Sequence, residues 1–287
     1  MAKAKTVRKN TMARDIWRRL KRNKLAMVSL VIIIIMAILA VIGPYIAPYS
    51  YSEQDYSSIL LPPSAEHLFG TDNLGRDVFS RIVYGTRYTI AIGFGCMTVA
   101  TILGIFFGIV AAYYPKFDNI IMRLMDLMIG IPGMTLLMCM ISVMGISLRN
   151  MVIALIIFKI PSMSRVVRAQ TLTVKQQEFI EAEVSIGASP LRIIMQHIIP
   201  NSIAPILVQY TLGVGSVVLW SASLSFIGMG VQAPQPEWGL MISAGRVYLR
   251  DYPHLGIIPG VAIIILTFAL NLLGDGLRDA LDPRLNK

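Results

Sequence analysis

An all-α integral membrane protein with six transmembrane helices is the fold class this sequence predicts, and three observations predict it. The 287 residues are 55% hydrophobic and 15% charged, whereas a soluble domain is usually about 45–50% apolar and about 25% charged. Uncharged runs long enough for a helical span, which needs about 20 apolar residues, occur at Leu25–Ser52, Tyr88–Pro115, Leu127–Leu148, Ile193–Gln235 and Tyr252–Gly274. Ten of the 26 Lys and Arg fall within the first 24 residues, against one Asp. A basic tail running straight into an apolar stretch is a topology signal.

In chain order, residues 1–24 read as a cytoplasmic basic tail and 25–47 as the first span. The run from Leu25 exceeds a signal-peptide core, and no clear small-residue cleavage site follows it, so it reads as a retained anchor. Residues 48–86 form an extracytoplasmic segment with five Asp/Glu and two Arg between Ser50 and Thr86. Within it, Leu74, Val78, Phe79, Ile82 and Val83 share one helical face and Arg76, Asp77, Ser80 and Arg81 the other. This suits an amphipathic helix on the outer interface, capped by Thr71, Asp72 or Asn73. It is also a candidate contact for a binding protein or an outer gate, through Arg76, Asp77 and Arg81.

The core follows at 87–275. Ala100, Gly104, Gly108 and Ala112 recur every four residues in the second span. Such a small-residue stripe lets another helix approach closely. The fourth span, "NMVIALIIFKIPSMS", is weaker, because Lys159 and Pro161 interrupt it. It is counted because six spans put both basic ends on one side, and the positive-inside rule makes that side cytoplasmic. Tyr114–Asn119, the segment from about 166 to 200 and the tail 276–287 are then inside, with Gly145–Asn150 outside.

Several chemistries are excluded or disfavoured. No G-x-x-x-x-G-K-[ST] loop occurs, so ATP phosphates are not cradled by that device. His67, His197 and His254 lie in different segments without metal-ligand spacing. Cys96 and Cys139 sit in apolar runs as small packing residues. The charge is a terminal tail and not a nucleic-acid surface. Gly274-Asp275-Gly276 only superficially resembles an intramembrane protease signature, and Asp126 has Arg123 one turn away as an ion-pair partner.

The stretch "EFIEAEVSIGASPLRIIMQHIIPNSIAP", Glu178 to Pro205, is polar and punctuated amid apolar runs. A short helix with Phe179, Val184 and Ile186 as apolar members stops at Gly187. Ser189 and Pro190 start a second helix at once as N-cap and N1. A surface-lying helix would be rich in Lys and Arg on its polar face. This one leads with Glu178, Glu181 and Glu183, which suits docking into a groove of a partner.

"EAEVSIGASPLRIIMQHIIPN" resembles the EAA loop of ABC-importer membrane subunits, matching at Glu181, Ala182, Gly187 and Pro200, with Glu183 in place of an Ala and Ile199 in place of a Leu. "HLFGTDNLGRDVFSRIVYGTR", His67 to Arg87, is similar to the extracytoplasmic signature of oligopeptide, dipeptide and nickel permeases, and "PEWG" and "NLLGDGLRDALDPR" look like that family too. The resemblance implies a type I ABC importer permease fold and a bacterial inner-membrane location. It implies a homologous six-helix partner, two cytoplasmic ATPases that bind the ATP and Mg, and an extracytoplasmic peptide-binding protein. No cofactor is expected in this chain, and no catalysis. The docking residues it implies are Glu178, Glu181, Ala182, Glu183, Gly187, Ala188, Ser189 and Pro190. The same fold importing nickel or another small solute is the alternative. An ATP-independent secondary transporter is the alternative of another class, which would be expected to show internal repeats and intramembrane carboxylates.

Candidate pathway residues complete the reading. Ser202, Gln209, Ser216 and Ser223 recur every seven residues in the fifth span, a polar stripe facing a wet path or neighbouring helices. Lys159 is expected to snorkel toward the cytoplasm, or else to face the pathway and meet peptide carboxylates.

Overall fold

The computed structural model describes residues 12–281, and their regular elements are helices apart from one isolated bridge between Thr71 and Asp77. In order these are α1 (Met12–Leu20), α2 (Lys24–Ile46), α3 (Val78–Tyr113), α4 (Pro115–Gly130), α5 (Gly133–Met144), α6 (Leu148–Lys175), α7 (Glu178–Ser185), α8 (Pro190–Ile193), α9 (Ile199–Phe226), α10 (Trp238–Gly245) and α11 (His254–Leu281). A widened π turn, Ile194–Ile198, fuses α8 to α9. Pro200 explains the widening, because it has no N–H to donate and its ring crowds the carbonyl four residues back. Among the described residues five apolar helices are long enough to span a bilayer: α2, α3, α6, the fused Pro190–Phe226 and α11.

The sixth crossing is broken. α4 and α5 meet at 98°. Ile131 there is extended, with φ −88° and ψ 133°, because a residue before proline is pushed out of the helical region. The ladder of contacts with α6 shows what each half does. Asp118 pairs with Arg168 and Asp126 with Arg165, so α4 lies across α6. Gly133 then approaches Phe158, and the Gly145 carbonyl accepts from Asn150, so α5 climbs along it. The uniform span expected over 127–148 is therefore an oblique helix followed by a short climbing one.

Close glycine approaches set the other directions. Gly43 meets Val83, Gly93 meets Val218, and Gly274 meets Leu212. α2 thus runs antiparallel to α3, as do α9 to α3 and α11 to α9. Tyr113, Lys175, α7 and the end of α11 share one end of the bundle, here the elbow end. The 47–77 loop and α10 occupy the other. α1 packs Leu20 and Ile16 against Leu273, Leu277 and Ala280 of α11, so the described parts of both terminal segments lie at the elbow end. The basic segment is a packed helix over 12–20, not a tail throughout; residues 1–11 and 282–287 of the two expected tails lie outside the described residues.

The small-residue stripe is a seam within this chain. Ala100 and Ala112 are buried, and a Cβ on Gly104 would sit 2.5 Å from Met163 Cγ, while one on Gly108 would sit 2.7 Å from the Ser164 carbonyl oxygen. α3 and α6 pack side by side along it. α6, the weak span of the sequence, is continuous for 28 residues through Pro161. Gly104→Val should destabilise the purified protein by about 1–3 kcal/mol through overpacking. Gly95→Ala in the same helix, where an added Cβ meets nothing within 4 Å, should be neutral or slightly stabilising; thermal unfolding in detergent compares the two.

Candidate functional site

At the elbow end, α7 and α8 fold back on each other between α6 and α9. Gly187 holds φ +80°, a left-handed conformation that glycine adopts without steric cost. The Gly187 amide donates to the Val184 carbonyl, and the Ala188 amide to the Glu183 carbonyl, both at 3.0 Å. This is a Schellman stop, which satisfies the last carbonyls of α7. Ser189 Oγ then accepts from the Arg192 amide, with Pro190 at the first helical position. The local chemistry written in the sequence builds this turn.

The anchor of the elbow is Ile180, 3% exposed, packed with Val174, Ile193 and Ile198. Sequence reasoning placed Phe179, Val184 and Ile186 as the apolar members of α7. All three are exposed, as are Leu191 and Met195 on the second limb. Glu178, Glu181 and Ala182 are also exposed, while Ala188 is partly covered. Glu183 differs from the other two acids. Its Oε1 lies 3.4 Å from His197 Nε2 and its Oε2 3.9 Å from Arg192 Nε, so it faces the second limb and not the solvent. Glu181 borders a cavity of about 290 Å³ with Tyr113, Lys175 and Val184. The elbow is thus a rigid knob with an apolar and acidic outer surface.

At the opposite end the loop forms a buried polar cap. Asp77 caps α3 by accepting from the Ser80 amide at 2.7 Å, and its other oxygen lies 3.0 Å from His67 Nδ1. Asp72, which is not the helix cap, accepts from Arg76 Nε at 2.7 Å and lies 3.6 Å from Arg81 Nε. Arg81 also donates to the Tyr51 carbonyl at 2.7 Å. Arg76, Asp77 and Arg81 are 5%, 3% and 3% exposed. The polar face, expected to lie on the outer interface or to contact a binding protein or an outer gate, turns inward in this chain, because its charges satisfy one another and the loop backbone. Nor is there a separate helix: Leu74, Arg76 and Asp77 precede α3, with Asp77 as its cap, and the residues from Val78 on are its start. Two neighbours complete the cap. Trp238 is fully buried and donates to the Ile82 carbonyl at 3.0 Å, and Glu237 accepts from the Leu240 amide at 2.8 Å.

Comparison with known proteins places the chain. Residues 104–287, which include the elbow, match the model of the binding-protein-dependent transport system inner membrane components. Residues 11–63 match the N-terminal transmembrane domain of oligopeptide transport permease C. The chain belongs to this family of permeases. A dipeptide transport system permease protein of Alkalihalophilus pseudofirmus is 43% identical over 273 residues, covering 95% of this chain and 90% of that protein. A glutathione transport system permease protein of Escherichia coli is 40% identical over 94% of this chain and 90% of that protein. The permease of the inward-facing MetNI methionine ABC transporter shares the fold, with a TM-score of 0.59 at 20% identity over 71% of this chain and 98% of that one. This chain is a permease subunit of an ATP-driven importer with the type I fold.

Within the permease, the polar stripe of α9 does not keep one environment. Ser202 is buried, Gln209 and Ser216 are partly buried, and Ser223 is exposed and donates to the Leu219 carbonyl. A seven-residue repeat drifts about 20° per step on a straight helix, so its ends turn away from its middle. Gln209 lines a cavity of about 560 Å³ with Lys159, Phe158 and Trp220. Lys159 does not reach the elbow end as expected; its Nζ donates to Ser216 Oγ at 2.6 Å. Asp126 pairs with Arg165 of α6 and not with Arg123.

Two outcomes follow for the cap. Asp72→Ala leaves Arg76 and Arg81 without their carboxylate and should cost about 3–5 kcal/mol, read as faster protease cleavage of the 47–77 loop. Burial pushes the Glu237 carboxyl above its ordinary value of 4.5, while amide and Ser225 hydrogen bonds pull the other way. The folded cap then holds that proton more tightly than the unfolded chain, so its stability is greatest below 4.5 and declines as pH rises through the elevated pKa. Glu237→Gln should flatten this dependence in melting temperature measured against pH.

Proposed function

We propose that this permease forms half of the translocation path of a peptide importer and is driven through its elbow by a cytoplasmic ATPase. The observation that carries the proposal is the knob itself: a rigid turn with five exposed apolar side chains and two exposed acids, rooted in α6 and α9. Dipeptide and glutathione permeases as relatives support a short peptide as cargo.

The partners in this reading are a homologous six-helix permease, two ATPases that hold the ATP and Mg, and an extracytoplasmic peptide-binding protein. This chain itself catalyses nothing. The basic first segment and the elbow share one end of the bundle, which supports a cytoplasmic location for both by the positive-inside rule. The buried cap then faces outward, where it shapes the mouth of the path by positioning the start of α3. Docking uses Glu178, Glu181, Ala182, Gly187, Ala188, Ser189 and Pro190 with Phe179 and Val184, while Glu183 faces the second limb. A rigid-body shift of a docked knob moves the helices rooted in it.

A mild-detergent pull-down from native membranes should recover P-loop ATPases, a second six-span chain and a solute-binding protein. Glu181→Lys and Gly187→Pro should leave the protein in the membrane and lower ATP-driven peptide uptake about tenfold or more, a loss of at least about 1.4 kcal/mol of coupling. Wild-type uptake by both variants would refute the docking role.

A further inference from the structure

The Lys159 ammonium lies within the bundle without a counter-ion among the described residues. Lys159 Nζ meets the neutral Ser216 hydroxyl at 2.6 Å and stands 5.2 Å from the centre of the Phe158 ring. Among the described residues no carboxylate lies within ion-pair distance of it. It lines the cavity of about 560 Å³ beside the α4–α5 bend. The other cation of that wall, Arg165, is already paired with Asp126. Gln209 and Ser162 add neutral hydrogen-bonding groups, and the edge-to-face pair of Phe158 and Trp220 forms an apolar wall.

A charge held in a span without a partner is expensive, and such residues mark solute pathways. Of the groups a peptide carries, its terminal carboxylate is the anion that does not depend on sequence. We infer that this cavity is a waypoint for the C-terminal carboxylate of the translocating peptide, with Lys159 as its counter-charge; the inference rests on the peptide reading above. The choice of lysine fits passage. An arginine fork would grip a carboxylate through two parallel bonds, whereas an ammonium is a mobile point charge. Transport needs a site that binds well enough to admit the solute and weakly enough to release it. The Ser216 hydroxyl holds the ammonium in place while the cavity is empty.

The test compares one peptide as free acid and as C-terminal amide, using the full complex in liposomes. Uptake rates are normalised to the occupancy of the binding protein by each form. The wild type should favour the acid about tenfold. Lys159→Met should bring the ratio close to one. An unchanged ratio in K159M would overturn the inference and leave the peptide reading standing. A wild-type complex that moves neither form would overturn the peptide reading and the inference together. Lys159→Gln, which keeps a donor for Ser216, guards against a folding defect. If K159Q fails to co-purify with its partners, the lysine is structural and the inference is wrong.

Discussion

The close approach of α3 to α6 is the contact on which the rest of the permease depends. Apolar surface gains little by leaving lipid for another helix, so helices in a bilayer associate where backbones can pack closely. Gly104 and Gly108 supply that closeness, with Met163, Ser164 and Val167 filling the space their missing side chains leave. α6 is thereby fixed in height and rotation. It carries Lys159 at mid-depth, Arg165 and Arg168 toward the elbow end, and the root of the elbow at its last turn.

The broken third crossing takes its position from that helix. Its oblique half is tied by Asp118–Arg168 and Asp126–Arg165, and its climbing half packs Leu137 and Ile141 into the main core beside Met151 and Leu155. Pro132 makes the break obligatory, and the two ion pairs decide where the freed half lies. The same break leaves Lys159, Gln209 and Trp220 lining a cavity instead of a closed seam.

The elbow and the cap are opposite solutions to polar sequence in an apolar chain. The elbow keeps Glu178, Glu181 and several large apolar side chains outside, and is rigid because Ile180 holds its limbs from within, while Glu183 faces the second limb. The cap turns its charges inward and satisfies them there. Its loop from 47 to 77 has little regular structure, so the Asp72, Asp77, Arg76 and Arg81 bonds and the Tyr49–His67 ring contact at 5.0 Å hold it over the end of the bundle. The knob is rooted in both helices, since α9 is fused to α8 through the π turn and α6 joins α7 across Gln176 and Gln177. Packed cores shift as units and do not deform smoothly.

Much of this was legible in the residues, because it is local chemistry. Long uncharged runs announce spans by length alone. Gly187 followed by Ser189 and Pro190 dictates a stop and a restart within three residues. Four small residues at four-residue spacing must share a face, and that face had to meet a close neighbour. What the sequence could not supply is which way a mixed face turns. α7 has apolar residues on both sides, so its pattern does not separate the buried Ile180 from the exposed Phe179, Val184 and Ile186. The segment from Leu74 into the start of α3 alternates apolar residues with Arg76, Asp77 and Arg81, and only the folded loop shows that these charges are buried against their own counter-ions. Lys159 is predictable as an anomaly from its position in an apolar run. Its engagement with Ser216, 57 residues away, belongs to tertiary structure alone, because it depends on how α6 and α9 are rotated against each other, and helical periodicity fixes the faces of a single helix but not which of them meets its neighbour.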